Sequence, residues 1–299
     1  GDHRDLHLSL RRQRQMCIRD RSIIFVFEII NPNQAEACTV TNGVVAKESG
    51  HGADFIDDGC DETPALYEVV IYKLYLCTSS PTEATTSSVV VLTPCTQVFN
   101  SSSGATASVT QGTEIVLDGT YTRPPNGTYT HGYAYMDNTF GITWAGELSA
   151  AMTGMTGGTG VFCGTVAGSG THAKGSTHTN SSVCGSSAIT PGKFVETLAH
   201  FGDSGAADFS SRAHVPNINS TSATITGFLV DSNEHRAANT GEVVKLEGLV
   251  KFANPITVTA ETTSLSMTFN VGEGMHLVNG GGNKLFIGSG PFQAIMSAN

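Results

Sequence analysis

Charge and aromatic rings are scarce in this chain. Asp, Glu, Lys and Arg make up 14% of the residues, aromatics 7%, and there is a single tryptophan. So little charge leaves no material for the long Glu/Lys/Leu-rich helices of bundles and coiled coils. Basic residues are scarcest: beyond residue 37, ten Lys and Arg stand against 21 Asp and Glu. A nucleic-acid partner is therefore disfavoured, because phosphate binding needs a basic face. Long apolar runs are missing too. The most apolar stretch, Ile23–Ile30, is interrupted by Glu28 and far shorter than a bilayer span. Neither C-x-x-C nor H-E-x-x-H occurs, which removes the usual sequence signatures of zinc sites.

What is abundant is glycine, at 34 residues, together with Ser, Thr and Val. That bias favours pleated strands and tight turns. At 299 residues the chain is long enough for two modest domains, each with its own core.

The first 37 residues are expected to stand apart from the fold. Residues 1–21 show no apolar periodicity, and Gln15–Arg21 resembles the translation of a sequencing-library adapter, so they are read as a non-native leader. Residues 22–37 are read as a signal-peptide remnant, ending in the small-x-small triplet Ala35-Glu36-Ala37, with Cys38 as the first mature residue. Ala35 and Glu36 fit a lipid-attachment signal poorly, which argues against lipidation of Cys38.

Setting Cys17 aside with the leader leaves six cysteines. Their order suggests three sequential disulfides, Cys38–Cys60, Cys77–Cys95 and Cys163–Cys184, each closing a loop of about 20 residues. Such a framework places the protein outside the cell, in the periplasm or at the cell surface.

Strand signals recur along the chain. Tyr67–Leu76 is the clearest, reading as Val70, Tyr72, Leu74 and Leu76 on one face with Glu68 and Lys73 on the other. Val89–Leu92 reads as its hairpin partner, stapled at the base by Cys77–Cys95. After the turn Arg123–Gly127, Thr128–Met136 carries Tyr129, His131, Tyr133 and Tyr135 as an aromatic stripe. Residues 146–190 are rich in Gly, Ser and Thr and read as an excursion between two β regions. Beyond it, 223–230, 242–252, 256–260, 264–271, 275–278 and 284–287 resume alternation. In 242–252, Val244, Leu246, Gly248, Val250 and Phe252 share one face, with Lys245, Glu247 and Lys251 outward.

The expected fold is all-β: two antiparallel β-sandwich or jelly-roll-like domains, 38–145 and 191–299, joined by the segment 146–190.

Four sets of residues invite a functional reading. Tyr129, Tyr133, Tyr135 and Trp144 could offer stacking faces to a sugar or small ligand, though strand packing explains the stripe equally simply and Trp144 suits a core anchor. Asp54, Asp57, Asp58 and Asp61, in a glycine-containing acidic loop, supply oxygen ligands of the type calcium takes, but not in EF-hand order; no other cofactor is implied. His172, His178, His200 and His214 are too loosely spaced for a metal signature. Gly202-Asp203-Ser204-Gly205 resembles the nucleophile segment of chymotrypsin-like proteases. Ala206 stands where that family has glycine, and His51 and His131 lie in unlike contexts, so a triad is not expected.

The segments LYEVVIYKLYLCTSSP, TRPPNGTYTHGYAYMDNTFGI and KLEGLVKFANPITVTAETTSLSMTFNV resemble uncharacterised exported β-proteins of marine bacterial and phage metagenomes, across most of residues 64–299. The resemblance supports export and fold and supplies no catalytic residues. The leading expectation is a non-enzymatic structural or surface protein, an appendage, envelope or virion-associated subunit that associates with itself or with other surface or virion proteins. A carbohydrate or small-ligand binding module is the second expectation, and a serine hydrolase a distant third.

Overall fold

The computed structural model describes residues 37–47, 59–110, 115–173, 179–201, 209–216, 222–272, 274–290 and 292–299. Among them helix is confined to a single 3-10 turn, Thr240–Glu242, capped by the Asn239 side chain. The rest of the regular structure is β, as the composition requires. The strands are β1 (Val40–Thr41), β2 (Val44–Val45), β3 (Cys60–Glu62), β4 (Leu66–Cys77), β5 (Cys95–Val109), β6 (Thr120–Tyr121), β7 (Gly127–Thr143), β8 (Ala145–Gly154), β9 (Gly157–Thr165) and β10 (Gly168–His172). They continue with β11 (Ser182–Gly185), β12 (Phe194–Leu198), β13 (Ser210–Pro216), β14 (Ser222–Val230), β15 (Lys245–Val258), β16 (Leu265–Asn270), β17 (Met275–Asn279), β18 (Lys284–Ser289) and β19 (Gln293–Ala298).

They form an eight-stranded sheet in the order β1-β2-β8-β18-β17-β3, extended by β9 and β11, and a nine-stranded sheet in the order β13-β14-β15-β7-β4-β5-β6, extended by β10 and β12. A third sheet holds only β16 and β19. Pairing is mostly antiparallel, with parallel pairs at β2–β8, β8–β18 and β10–β12. Both large sheets draw strands from each side of residues 146–190. That segment, expected as an excursion, itself supplies most of β8 and all of β9, β10 and β11. Its glycines serve close backbone approach: a Cβ on Gly160 would collide with the Gly185 carbonyl, and one on Gly158, at φ +71°, with that of Cys184.

The largest core lies on one face of the nine-stranded sheet. Tyr67, Val69 and Ile71 of β4 enter it together with Leu74 and Leu76. The burial parity of β4 thus changes at Tyr72, where a bulge shifts the register against both neighbours. This corrects the expected single face: before the bulge Glu68, Val70 and Tyr72 point away from the core, and after it Lys73 and Tyr75 do. β16 covers the same core with Leu265, Met267 and Phe269, and Val271 follows them in; all four are buried. A second core gathers Leu148, Met152, Met275, Leu277, Leu285 and Ile287 of the eight-stranded sheet around Trp144.

The three expected disulfides are all present. Cys38–Cys60 and Cys163–Cys184 sit in the second core. Cys77 and Cys95 lie directly opposite each other in the β4–β5 pair. Residues 89–92 are not a strand, however. The partner of β4 starts at Cys95, and residues 78–94 form the loop that the disulfide closes, with only isolated bridges inside it. Three disulfides mark an oxidising environment. Among the described residues no helix is long and apolar enough to cross a membrane.

Candidate functional site

The two large sheets leave a cavity of about 420 Å³ between them. Its floor follows from three strands of the nine-stranded sheet. Gly227 of β14 pairs with Gly248 of β15, which pairs with Ala134 of β7, so three nearly side-chain-free positions lie side by side. The flanking rows are large: Ile225 and Val250 on one side, Met136 and Leu246 on the other, and all four line the space. Phe140, Phe286 and Phe292 add aromatic wall, with Phe140 and Phe292 5.9 Å apart and tilted.

The opposite side is polar and comes from the eight-stranded sheet. Asp61 of β3 is the cross-strand neighbour of His276 in β17, which pairs in turn with Gly288 of β18. His276 Nδ1 lies 2.8 Å from the Asp61 carboxylate. The imidazole lies so close to Gly59, at φ +78°, that a Cβ there would collide with Nε2. Glu196 of β12 is buried and reaches across to Ser289. Its Oε2 accepts from the Ser289 backbone N–H at 2.6 Å and from the Ser289 hydroxyl. His172 and His200 line the same space, His200 fully buried and edge-on to Phe209. The cavity is thus an apolar slot with carboxylates and imidazoles at one end, and among the described residues no Lys or Arg lines it.

The other face of the nine-stranded sheet carries a second unusual cluster. Glu247 lies on the face of β15 opposite Leu246 and Gly248, beside its cross-strand partner Tyr135. It was expected to face outward, yet it is fully buried. Val90 of loop 78–94 packs with Cys77 and Tyr133, and Glu234 of loop 231–244 pairs with Lys73 at 3.2 Å, so two loops cover what would have been a solvated face. Among the described residues neither Glu247 carboxylate oxygen has a partner with full hydrogen-bond geometry; the Tyr133 hydroxyl lies close enough to favour its charged form. Burial raises its pKa to about 7, partly offset by the nearby Tyr133 hydroxyl. Tyr135 is pushed up to about 12, first by burial and then by Glu234 and Glu247.

The tyrosines expected as a stripe are divided between the two faces. Tyr129 is buried in the main core, while Tyr133 and Tyr135 belong to the opposite face. The register of β7 against β15 shifts between Tyr129 and His131, which accounts for the division. Tyr133 and Tyr135 meet Tyr75 and Tyr72 edge-on, at 5.6 and 6.0 Å, and Lys73 and Lys245 sit over the Tyr135 and Tyr72 rings. Trp144 is buried in the second core. The rings therefore form no exposed coplanar platform.

Asp61, one of the four carboxylates expected as calcium ligands, is engaged with His276; Asp54, Asp57 and Asp58 lie outside the described residues. Among the described residues no group of three or more His, Cys, Asp or Glu is arranged to hold a metal. His51, His178 and the Gly202–Gly205 segment with Ser204 also lie outside them, and the His214 side chain is not described. His172 and His200, too loosely spaced in sequence to signal a site, share the cavity wall. Sequence reasoning missed His276, Glu196 and Gly248. For Glu196 a signal was present: in Phe194–Leu198 it alternates with Phe194 and Leu198, an acid on an apolar face.

No protein-family model matches the chain, and no curated protein or solved structure matches it.

Proposed function

We propose that this is an exported, disulfide-stabilised β-protein that binds a small, largely apolar ligand in the cavity between its two large sheets. The observation that carries the reading is the cavity itself: about 420 Å³, apolar over most of its wall, with convergent polar groups at one end. Ligand sites are typically of this size and character. Export is supported by the apolar run and small residues preceding Cys38 and by the three disulfides.

This reading favours the second of the roles expected from sequence and moves its site from the tyrosine stripe to the intersheet space. Titration of the oxidised protein with N-phenylnaphthylamine, an apolar fluorescent probe, tests it. Saturable one-to-one binding is expected. Absence of saturable binding, with the protein recovered from its source only in filaments or particles, would overturn the reading in favour of an assembly subunit.

A further inference from the structure

We infer that the ligand of this cavity carries a planar ring that seats on the backbone at Gly248 and a hydrogen-bond-donating or cationic end that meets Asp61–His276 and Glu196. The inference rests on the proposed binding role and narrows it to a chemical class.

The ring follows from how this sheet treats its other glycines. Gly132, Gly227 and Gly248 lie on one face of three adjacent strands. A Cβ on Gly132 would come within 2.9 Å of the Phe252 ring, and one on Gly227 within 2.9 Å of the Phe201 ring. Each of these glycines is therefore covered by a phenylalanine of the chain itself, the arrangement by which an aromatic ring replaces missing side-chain contact over a glycine in a sheet. Among the described residues Gly248, between them, has no such cover: a Cβ there would meet only the Met136 methyl, at an ordinary 3.5 Å. A ring-sized seat remains open at the cavity floor, walled by Phe140, Phe286 and Phe292. Aromatic walls favour a ring over an open chain through edge-to-face and offset contacts.

The polar end follows from the opposite wall. Asp61 and Glu196 offer acceptor oxygens, both residues are nearly fully buried, and among the described residues no Lys or Arg lines the cavity. An ammonium or N–H donor on the ligand finds acceptor oxygens there, whereas a ligand carboxylate would bring further acceptors with no Lys or Arg to meet them.

The test uses the oxidised full chain and displacement of bound N-phenylnaphthylamine by three small probes. Phenethylamine carries both ring and amine, octylamine the amine without the ring, and phenylpropionate the ring with an anion. Phenethylamine is expected to bind about tenfold or more tighter than either of the others. Octylamine binding as well as phenethylamine would overturn the ring; phenylpropionate binding as well would overturn the polar end. Either result leaves the binding role standing, since the fluorescent probe is still held. No saturable uptake of that probe would instead remove the binding role itself. The variant Gly248→Leu is expected to abolish phenethylamine binding, because its side chain fills the seat, while Gly248→Ala retains it. Both variants are checked for native near-UV circular dichroism. Unchanged phenethylamine affinity in folded Gly248→Leu would overturn the ring seat, and in the event of misfolding the probe series on the unaltered protein still decides the matter.

Discussion

Replacing Glu247 by glutamine should make the protein more stable at pH 8 and leave it nearly unchanged at pH 5. Glu247 is fully buried, among the described residues neither carboxylate oxygen has a partner with full hydrogen-bond geometry, and burial lifts its pKa from 4.5 to about 7. In the unfolded chain the carboxyl titrates near its ordinary value. Between about pH 4.5 and 7 the folded protein therefore holds a proton that the unfolded chain has released, so stability falls as pH rises through that window and levels off above it. Each unit of pKa difference corresponds to about 1.4 kcal/mol, so the shift corresponds to about 3 kcal/mol. Glutamine has the same shape and no charge at any of these pH values. The difference in unfolding free energy between Glu247→Gln and the unaltered protein should thus grow by about 3 kcal/mol from pH 4.5 to 8. Urea unfolding with disulfides intact, at half-unit pH steps, measures it, and every other titrating group cancels in the comparison. Parallel pH profiles for the two proteins would refute the reasoning, because they would mean that Glu247 ionises in the folded state as readily as in the unfolded one.

Other consequences are as direct. Reducing the three disulfides, whose cysteines are separated by 22, 18 and 21 residues, should lower the unfolding free energy by about 3 kcal/mol per bridge in the loop-entropy account, read as a fall in the melting midpoint under thiol. In a spectrophotometric titration most of the seven tyrosines should resist ionisation until the protein unfolds: burial holds Tyr67 and Tyr133 well above the usual range and lifts Tyr121 and Tyr135 to about 12. Phe194→Ala, which empties a fully buried site next to the cavity strands, should cost about 3–5 kcal/mol by denaturant titration. Gly160→Ala should disrupt the close approach of β9 to β11 and weaken protection of the Ser182–Gly185 amides in hydrogen exchange.

The six-cysteine framework and strands such as β4, β14 and β15 were legible because each depends on nearby residues, whereas residues 89–92, expected as a strand, are loop, and the Gly/Ser/Thr-rich segment 146–190 holds strands that its composition hid. The alternation in Leu265–Asn270 and Met275–Asn279 marks buried apolar faces directly, and three sequential cysteine pairs span short loops. Two kinds of information were not local. Faces reverse where a bulge interrupts a strand, so period two misassigned Val70 and split the tyrosines at Tyr129; nothing in LYEVVIYKLYLC announces a register shift against two neighbours. Burial of an outward face depends on which distant loops fold over it, so Glu247 read as solvated until loops 78–94 and 231–244 were in place. The cavity was least legible of all, since its floor joins residues 134, 227 and 248, and its polar wall joins Asp61 to His276, 215 residues away.

That last separation has a bearing on how the chain reaches its fold. β3, formed by residue 62, has its strand neighbour in β17, and β8 pairs with both β2 and β18, so the eight-stranded sheet closes only when Met275–Ser289 joins strands made more than a hundred residues earlier. Contacts of such sequence separation form late and slowly, because the intervening chain must be ordered before they contribute. Within an emerging polypeptide, β4, β5 and β7, like β8 and β9, can pair early, but β3 and β8 of the eight-stranded sheet wait for Met275–Ser289. That sheet's edges are therefore completed only once the whole chain is released.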